Sequence, residues 1–340
     1  PRGFGKNKNS QLQLDLVVVD EMSMVDLSLM KALLDALPRR TQLVLVGDPN
    51  QLPPVGCGAV WEKLQTHDVL KEFGKGAVHL HKLYRNRGKI ASLGRVIKEE
   101  GLESFWIKVL ELESSSNVVI KQADSPFIPQ DVILHLKKHK QELKELAKRF
   151  ELEISNQKGK VRVHNKIMSE TTKNLFDCLD RLMVLCPQKQ GAWGVKNLHR
   201  VLLKQTFEEG IMNWPIGTPV MCLENQAELG LSNGDIGVAI GSNQNRKVLF
   251  KPLSSEQQSE ISLIHPARIK KFSPAFALTI HKAQGSEANR VILLWPNSIR
   301  NNLKPISQLE PNEEFEKRLI YTAITRAKEN LDIIINMDLR

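Results

Sequence analysis

Apolar residues in the first fifty positions follow two different spacings. The run Leu16–Val19 is continuously apolar, as in a buried strand, and residues 43–46 form a second such run. Residues 25–37 instead carry an apolar side chain at every fourth position, which predicts a helix: Val25, Leu29, Leu33 and Leu37. A strand, a helix and a strand joined by short connections predict one βαβ unit with parallel strands and a right-handed crossover.

The middle of the chain is predicted to be mostly helical. Residues 90–182 have this character, and residues 131–150 are the plainest case, with an apolar stripe formed by Val132, Leu136, Leu143, Leu146 and Phe150. We interpret the lysines and histidines between these positions as a solvated face. Residues 182–185 form a short apolar run that predicts another strand.

The pattern changes near residue 213. Short apolar runs separated by Asn-Gly-Asp, Gly-Ser-Asn and Asn-Arg turn signals predict a small β-rich insertion that ends near residue 271. An α/β pattern then returns. It predicts strands at residues 276–280, 291–295 and 331–335, an exposed loop at 296–311 and a helix at 313–328.

The composition narrows the classes of partner. No apolar run approaches the roughly 20 residues that a membrane span needs, so we expect no membrane association. A net charge of +10 favours a polyanion such as nucleic acid as the partner, although a merely basic protein is the alternative.

The cysteines lie far apart, which predicts neither a zinc site nor disulfides and fits a cytoplasmic location: Cys57, Cys178, Cys186 and Cys222. The opening "PRGFGKNKNS" lacks the apolar core of a signal peptide.

Two adjacent carboxylates follow the first predicted strand. Asp20 and Glu21 stand where the carboxyl end of a parallel strand meets the ligand-binding edge of a sheet. Carboxylate oxygens are the ligands that magnesium prefers, and the second carboxylate can polarise an attacking water. The structural alternative is that Asp20 or Ser23 caps the helix that follows.

A second polar group follows the second predicted strand. In "GDPNQLPPV" we expect Asp48 and Gln51 to reach the same sheet edge as the carboxylate pair. An amide such as that of Gln51 can bond both a terminal phosphate and the attacking water. The alternative is a proline-rich turn without chemistry, which Pro53 and Pro54 would stiffen.

Further polar residues lie in "LYRN", "YTAITRAKE" and "ALTIHKAQGSE". Arg85 and Arg326 are candidates for neutralising charge on a transferring phosphoryl group, although a lone arginine is more often part of a surface salt bridge. Gly285 allows a close backbone approach to phosphate, and its polar neighbours could line a nucleic-acid groove or an ordinary turn: Thr279, His281, Lys282, Gln284, Ser286 and Glu287.

The order of these stretches resembles motifs two to six of the superfamily 1 helicases. Five stretches show this resemblance: "VVVDEMSM", "VGDPNQLPPV", "KLYRN", "LTIHKAQGSE" and "YTAITRAK". Three longer stretches resemble more closely the RecD-like helicases, the family of the exonuclease V alpha subunit and its stand-alone relatives: "LCPQKQGAWGVKNLHRVL", "GTPVMCLENQAELGLSNGDIGVA" and "LTIHKAQGSEANRVILLWP". The resemblance spans residues 14–335.

The resemblance implies a site for ATP and Mg²⁺ between two RecA-like motor domains. Asp20 would coordinate Mg²⁺, Glu21 would be the catalytic base, Gln51 would sense the γ-phosphate and Asp48 would belong to the same cofactor-binding group. The residues that would approach the nucleotide from the second motor domain are Arg85, Arg326, Gly285 and Glu287.

The resemblance also implies single-stranded DNA as a partner. The residues expected near the DNA are Thr279, His281, Lys282 and Gln284, whereas residues 233–235 match a family stretch without an assigned role. The implied function is a 5′ to 3′ ATP-dependent DNA helicase subunit of exonuclease V, acting with RecB-like and RecC-like subunits in double-strand break repair and recombination. The chain shows no two-metal carboxylate cluster of a nuclease.

One motif of the family has no match. The phosphate-binding pattern G-x-x-x-x-G-K-[ST] occurs nowhere, since in "GFGKN" Lys6 is followed by Asn7. We therefore expect the chain to begin inside the first motor domain and to be inactive as an ATPase on its own. The alternatives are a stand-alone RecD-like helicase and a DNA-binding remnant without ATPase activity.

The expected fold class is α/β. It consists of two RecA-like motor domains with parallel sheets, the first incomplete, and a small β-rich, SH3-like insertion in the second. The expected boundaries are residues 1–80 for the first motor domain, 81–212 and 273–340 for the second, and 213–272 for the insertion.

Overall fold

The computed structural model describes residues 5–80, 88–112, 117–156, 169–251, 261–296 and 312–336. The chain divides into two compact units, which are described separately below. Unit 1 comprises Pro1–Glu111 and Arg300–Thr325, and unit 2 comprises Leu112–Ile299 and Arg326–Arg340. The domain boundaries expected from the sequence stay a prediction.

The described residues contain ten α-helices. They are α1 Leu27–Ala36, α2 Val60–Leu64, α3 His67–Phe73, α4 Gly88–Glu99, α5 Leu102–Glu111, α6 Gln130–Asn156, α7 Glu170–Arg181, α8 Val195–Leu203, α9 Thr206–Glu209 and α10 Asn312–Ile324. None of these helices combines the length and the apolar character needed to cross a membrane.

The described residues also contain twelve strands. They are β1 Leu16–Val19, β2 Gln42–Leu45, β3 Val118–Ala123, β4 Leu182–Cys186, β5 Pro219–Cys222, β6 Ile236–Ile240, β7 Lys247–Phe250, β8 Ser262–Ile264, β9 Phe272–Pro274, β10 Leu278–Thr279, β11 Ala288–Trp295 and β12 Ala327–Asn336.

In unit 1 the predicted strand, helix and strand are confirmed. β1 and β2 pair in parallel, from Leu16 opposite Gln42 to Val19 opposite Leu45. α1 begins two residues later than predicted, because Asp26 caps it by accepting a hydrogen bond from Leu29 N at 2.8 Å. The alternative that Asp20 or Ser23 provides this cap is therefore wrong.

The two faces of this small sheet differ in burial. One face packs on a core built around Met22, Val25 and Met30, which Val19, Leu33, Leu43, Leu45, Val60 and Trp61 extend. The alternating side chains stay exposed, at 52% for Leu16, 58% for Val18 and 43% for Val44. Only one face of β1 and β2 is thus covered by the described residues.

Helices α4, α5 and α10 form a second packed group in unit 1. Their fully buried side chains include Leu93 and Ile97 from α4, Phe105 and Val109 from α5, and Leu319 and Ile320 from α10. The predicted helix at 313–328 is wrong at its C-terminal end. α10 ends at Ile324, and Lys328 lies in β12.

Unit 2 contains a five-stranded, wholly parallel sheet in the order β10, β4, β11, β12, β3. The predicted strands at 182–185, 291–295 and 331–335 are confirmed, and β12 begins earlier because Ala327 pairs with Ala288. β3 was missed within the region predicted as helical. The strand predicted at 276–280 is only two residues long, and Ile280 begins a short 3₁₀ helix.

The β-rich insertion is confirmed as an antiparallel five-stranded sheet in unit 2. Its order is β8, β7, β6, β5, β9. Helices α6 and α7 pack on it through a shared core that includes Leu143, Phe150, Leu175, Val238 and Leu249. The α/β class with parallel sheets is confirmed, whereas the SH3-like description stays a prediction. The loop predicted at 296–311 lies almost entirely outside the described residues.

Candidate functional site

Asp20 and Glu21 follow directly on β1 in unit 1. Asp20 is exposed, and its Oδ1 accepts a hydrogen bond from Glu21 N at 2.7 Å. Glu21 has a left-handed backbone, with φ 53° and ψ 45°. This conformation costs a residue with a side chain about 1–2 kcal/mol. Such strain concentrates at functional sites. The catalytic role of Glu21 stays a prediction, and its strained backbone is consistent with it.

The ends of β1 and β2 approach each other closely. Met22 N donates to Val46 O at 3.0 Å, so pairing continues beyond the strands. A Cβ atom on Gly47 would lie 2.9 Å from the Met22 side chain and 3.0 Å from Met22 N. Only glycine therefore fits at this position without displacing the chain after β1. The two polar segments consequently leave the same edge of the sheet, as parallel pairing requires.

The segment after β2 folds into a tight polar loop. Asp48 Oδ1 accepts hydrogen bonds from Asn50 N and Asn50 Nδ2, both at 3.0 Å, and Asp48 O accepts from Gln51 N at 3.3 Å. Gln51 is only 9% exposed, and none of the described groups hydrogen-bonds to its Oε1. A buried carbonyl without a donor costs about 1–3 kcal/mol, which is tolerated most readily where a ligand supplies the missing bond.

Two side chains of α10, also in unit 1, hold this loop. Tyr321 Oη donates to Asp48 Oδ2 at 2.8 Å, and the fully buried Thr322 Oγ1 accepts from Leu52 N at 3.0 Å. Gln51 thus lies between two fixed points. Sequence reasoning assigned no role to either α10 residue. The available signal was their place in "YTAITRAKE", directly before the candidate Arg326.

We predict that Thr322→Val destabilises the protein. The substitution conserves volume but leaves the buried Leu52 N–H without this acceptor, which should lower the free energy of unfolding by about 1–3 kcal/mol. Chemical denaturation of the purified variant measures the change. Thr66→Val is the matched control, because Thr66 is exposed and its hydroxyl donates only to the nearby Lys63 O. Equal stabilities for the two variants would contradict the proposal that Thr322 stabilises the Gln51 loop.

In unit 2 the stretch "LTIHKAQGSE" forms a short strand, a 3₁₀ turn and a glycine bend. Gly285 has φ 74° and open space around its missing side chain, as a close backbone approach to a ligand would need. Burial lowers the pKa of His281, which favours the neutral imidazole. Desolvation and the nearby Lys189 lower the pKa of Lys282. Thr279 and Gln284 lie at the two ends of the 3₁₀ turn.

The end of this stretch contacts the start of β12 within unit 2. Glu287 Oε1 pairs with Lys328 Nζ at 2.6 Å, and Ala288 N donates to Arg326 O at 3.0 Å. Arg326 is 6% exposed, and its Nη1 donates to Ser286 O at 3.3 Å. The structure thus brings Glu287 and Arg326 to one turn, where the arginine is anchored to the main chain. Arg85 lies outside the described residues.

Two family models match the chain at its two ends. Residues 2–57 match the model described as an AAA domain, and residues 274–334 match the UvrD-like helicase C-terminal domain. The first match contains Asp20, Glu21, Asp48 and Gln51, and the second contains Thr279 to Glu287 and Arg326.

Curated relatives match over nearly the whole chain. The RecBCD enzyme subunit RecD of Buchnera aphidicola subsp. Schizaphis graminum is 26% identical over 351 residues, which are 96% of this chain and 55% of that protein. The RecD subunit of Haemophilus influenzae is 27% identical over 367 residues, or 96% of this chain and 52% of that protein. The chain is therefore RecD-like in sequence and spans about half the length of these relatives.

Solved helicase structures also align with the chain. The Pif1 helicase from Bacteroides in complex with ADP-AlF3 and single-stranded DNA aligns with a TM-score of 0.42 and 15% identity, covering 98% of this chain and 73% of that one. The Pif1 helicase from Candida albicans aligns with a TM-score of 0.39 and 15% identity, covering 94% and 72%.

Proposed function

We propose that this RecD-like superfamily 1 chain belongs to an ATP-dependent DNA helicase, with part of its ATP site at the carboxyl ends of β1 and β2. The observation that carries the proposal is the buried Gln51, whose Oε1 has no donor among the described groups and whose loop is fixed on both sides. Gln51 follows β2 at the sheet edge where an exposed Asp20 and a strained Glu21 follow β1, and these are the kinds of polar group that phosphoryl transfer requires.

The same edge suits a magnesium ion. Asp20 offers an exposed carboxylate directly after β1, and its oxygens are the hard donors that Mg²⁺ prefers. The second carboxylate at this edge, that of Asp48 after β2, already accepts hydrogen bonds from Asn50 and Tyr321. We assign Asp20 as the ligand. When bound, Mg²⁺ would neutralise charge on the phosphate oxygens of ATP.

The protein residues would then act on the attacking water. Glu21 would accept the proton that this water loses, and Gln51 would orient the water while bonding the terminal phosphate. Tyr321 and Thr322 would act through Gln51 by holding its loop, as positioning residues rather than catalytic ones. Arg326 would neutralise charge that develops on the γ-phosphate.

The stretch from Thr279 to Gln284 is proposed to face single-stranded DNA. This assignment is supported by the cationic Lys282 and by the overall charge of +10. Gly285 and Glu287 would lie on the nucleotide side of the same turn. His281, kept neutral by burial, would contribute hydrogen bonds rather than charge.

The similarity to RecD subunits supports a finer proposal. The full-length protein would move 5′ to 3′ along DNA as a cytoplasmic subunit of exonuclease V, with RecB-like and RecC-like partners, in double-strand break repair and recombination. A stand-alone RecD-like helicase is the second candidate, since the motor residues are the same in both. A DNA-binding remnant without ATPase activity is the third.

We further propose that the phosphate-binding loop lies in a part of the full-length protein beyond these 340 residues. The loop pattern does not occur among them, and they span 55% or less of the RecD relatives described above. The exposed apolar positions of β1 and β2 also call for a covering layer.

The first functional prediction concerns Glu21→Gln in the full-length protein. Removal of the general base should lower DNA-stimulated ATP turnover by about 100-fold or more, because general-base catalysis typically contributes 10²–10⁴ in rate. Glu72→Gln, an exposed change of the same type in α3, should leave turnover unchanged. A Glu21→Gln enzyme with undiminished turnover would exclude the assignment.

The second functional prediction concerns salt. Affinity for single-stranded DNA should fall linearly on a log–log plot of binding constant against salt, with a slope of about −0.7 per phosphate contact. Lys282→Gln should make the slope shallower by about 0.7. Lys173→Gln, an exposed change on α7, should not alter it. A salt-independent affinity would favour a protein partner for the basic surface instead.

A further inference from the structure

A second group of potential ligands lies in unit 2 and shares no residue with the proposed ATP and DNA sites. His139 and Glu142 stand three positions apart on α6 and therefore share one face of that helix. Cys178 lies on the neighbouring α7, which packs against α6. One donor atom from each of these three side chains lies within 4.8 Å of the other two. Tertiary packing of two helices assembles this cluster, which explains why cysteine spacing in the sequence gave no sign of it.

The donors match the preferences of one class of ion. An imidazole nitrogen, a carboxylate oxygen and a thiolate sulfur are the three ligand types of zinc, with bond lengths of about 2.0–2.3 Å. Tetrahedral bonds of that length place donors roughly 3.3–3.8 Å apart. Cys178 Sγ and Glu142 Oε2 are already 3.8 Å apart. Small side-chain rotations would therefore complete the geometry.

The three residues differ in their exposure to solvent. His139 and Cys178 are buried, whereas the Glu142 side chain is 51% exposed. The cluster thus has two fixed donors in the helix interface and one at the surface, from which an ion can enter and where a water can complete the coordination. Burial also lowers the pKa of His139 to about 4.

An ion pair and a protonation state would have to change when the ion binds. Arg181 Nη1 pairs with Glu142 Oε2 at 2.8 Å, but the pair is exposed to solvent and contributes little to stability. Arg181 bonds the same oxygen that lies 3.8 Å from Cys178 Sγ, so it would have to move to Oε1 as Oε2 binds the ion. Cys178 is a thiol in the absence of an ion, because burial raises its pKa to about 11. Its proton must pass to solvent as the sulfur–metal bond forms.

We infer that His139, Glu142 and Cys178 form a binding site for one transition-metal ion of the zinc class, with a water as the fourth ligand. The ion would join α6 to α7 immediately before α7 leads into β4 of the parallel sheet. This role is structural, and it does not depend on the proposed ATPase activity.

The test is substitution of cobalt for zinc in the purified protein. Co²⁺ bound by a thiolate gives a near-ultraviolet charge-transfer band, and tetrahedral Co²⁺ absorbs strongly in the visible. We expect one Co²⁺ per chain with both features, displaced by Zn²⁺. Cys178→Ser should remove the charge-transfer band, whereas Cys57→Ser, which changes an exposed thiol, should retain it.

A second variant keeps the test valid if the change at the buried Cys178 prevents folding. Glu142→Gln changes an exposed side chain and should weaken Co²⁺ binding about tenfold or more while leaving the circular dichroism spectrum unchanged. The inference is overturned if the wild-type protein gives no thiolate band with Co²⁺, if Cys178→Ser retains the band, or if Glu142→Gln binds Co²⁺ as tightly as the wild type.

Discussion

The candidate ATP site of unit 1 depends on the parallel pairing of β1 with β2. Parallel pairing sends both strands out of the sheet at one edge, so Asp20 and Asp48 leave it together. The pairing continues through the bond from Met22 N to Val46 O, and Gly47 permits the close approach that this bond needs. Without that close approach, Asp20 and Glu21 would not share one sheet edge with the Gln51 loop.

The sequence pattern predicted those elements whose burial is one-sided or complete. The apolar runs of β1, β2, β4 and β11 and the stripe of α6 are all found in the structure. β3 was missed because its second half contains the polar Lys121 and Gln122. Among the described strands β3 pairs with β12 alone, at the edge of the sheet. The helix predicted to continue to Lys328 ends at Ile324, since Ala327 pairs with Ala288, thirty-nine positions earlier, and no local pattern reports that pairing.

The candidate site was predictable in part. Asp20, Glu21 and Gln51 were found from their places after apolar runs, because strand ends are a local feature. The contacts of Tyr321 with Asp48 and of Thr322 with Leu52 join positions 273 and 270 residues apart, and only the folded chain brings them together. The His139, Glu142 and Cys178 cluster has the same origin. In each case the missing information is tertiary packing rather than residue type.

The dependence of ATP turnover on Mg²⁺ tests the central assignment most directly. In the full-length protein, Asp20→Asn should raise the Mg²⁺ concentration for half-maximal turnover by about tenfold or more, because a ligand of the ion is lost. Asp15→Asn, the same change just before the other end of β1, should leave that concentration as in the wild type. Identical Mg²⁺ dependence in the Asp20→Asn protein and the wild type would contradict the proposal that the end of β1 holds the ion.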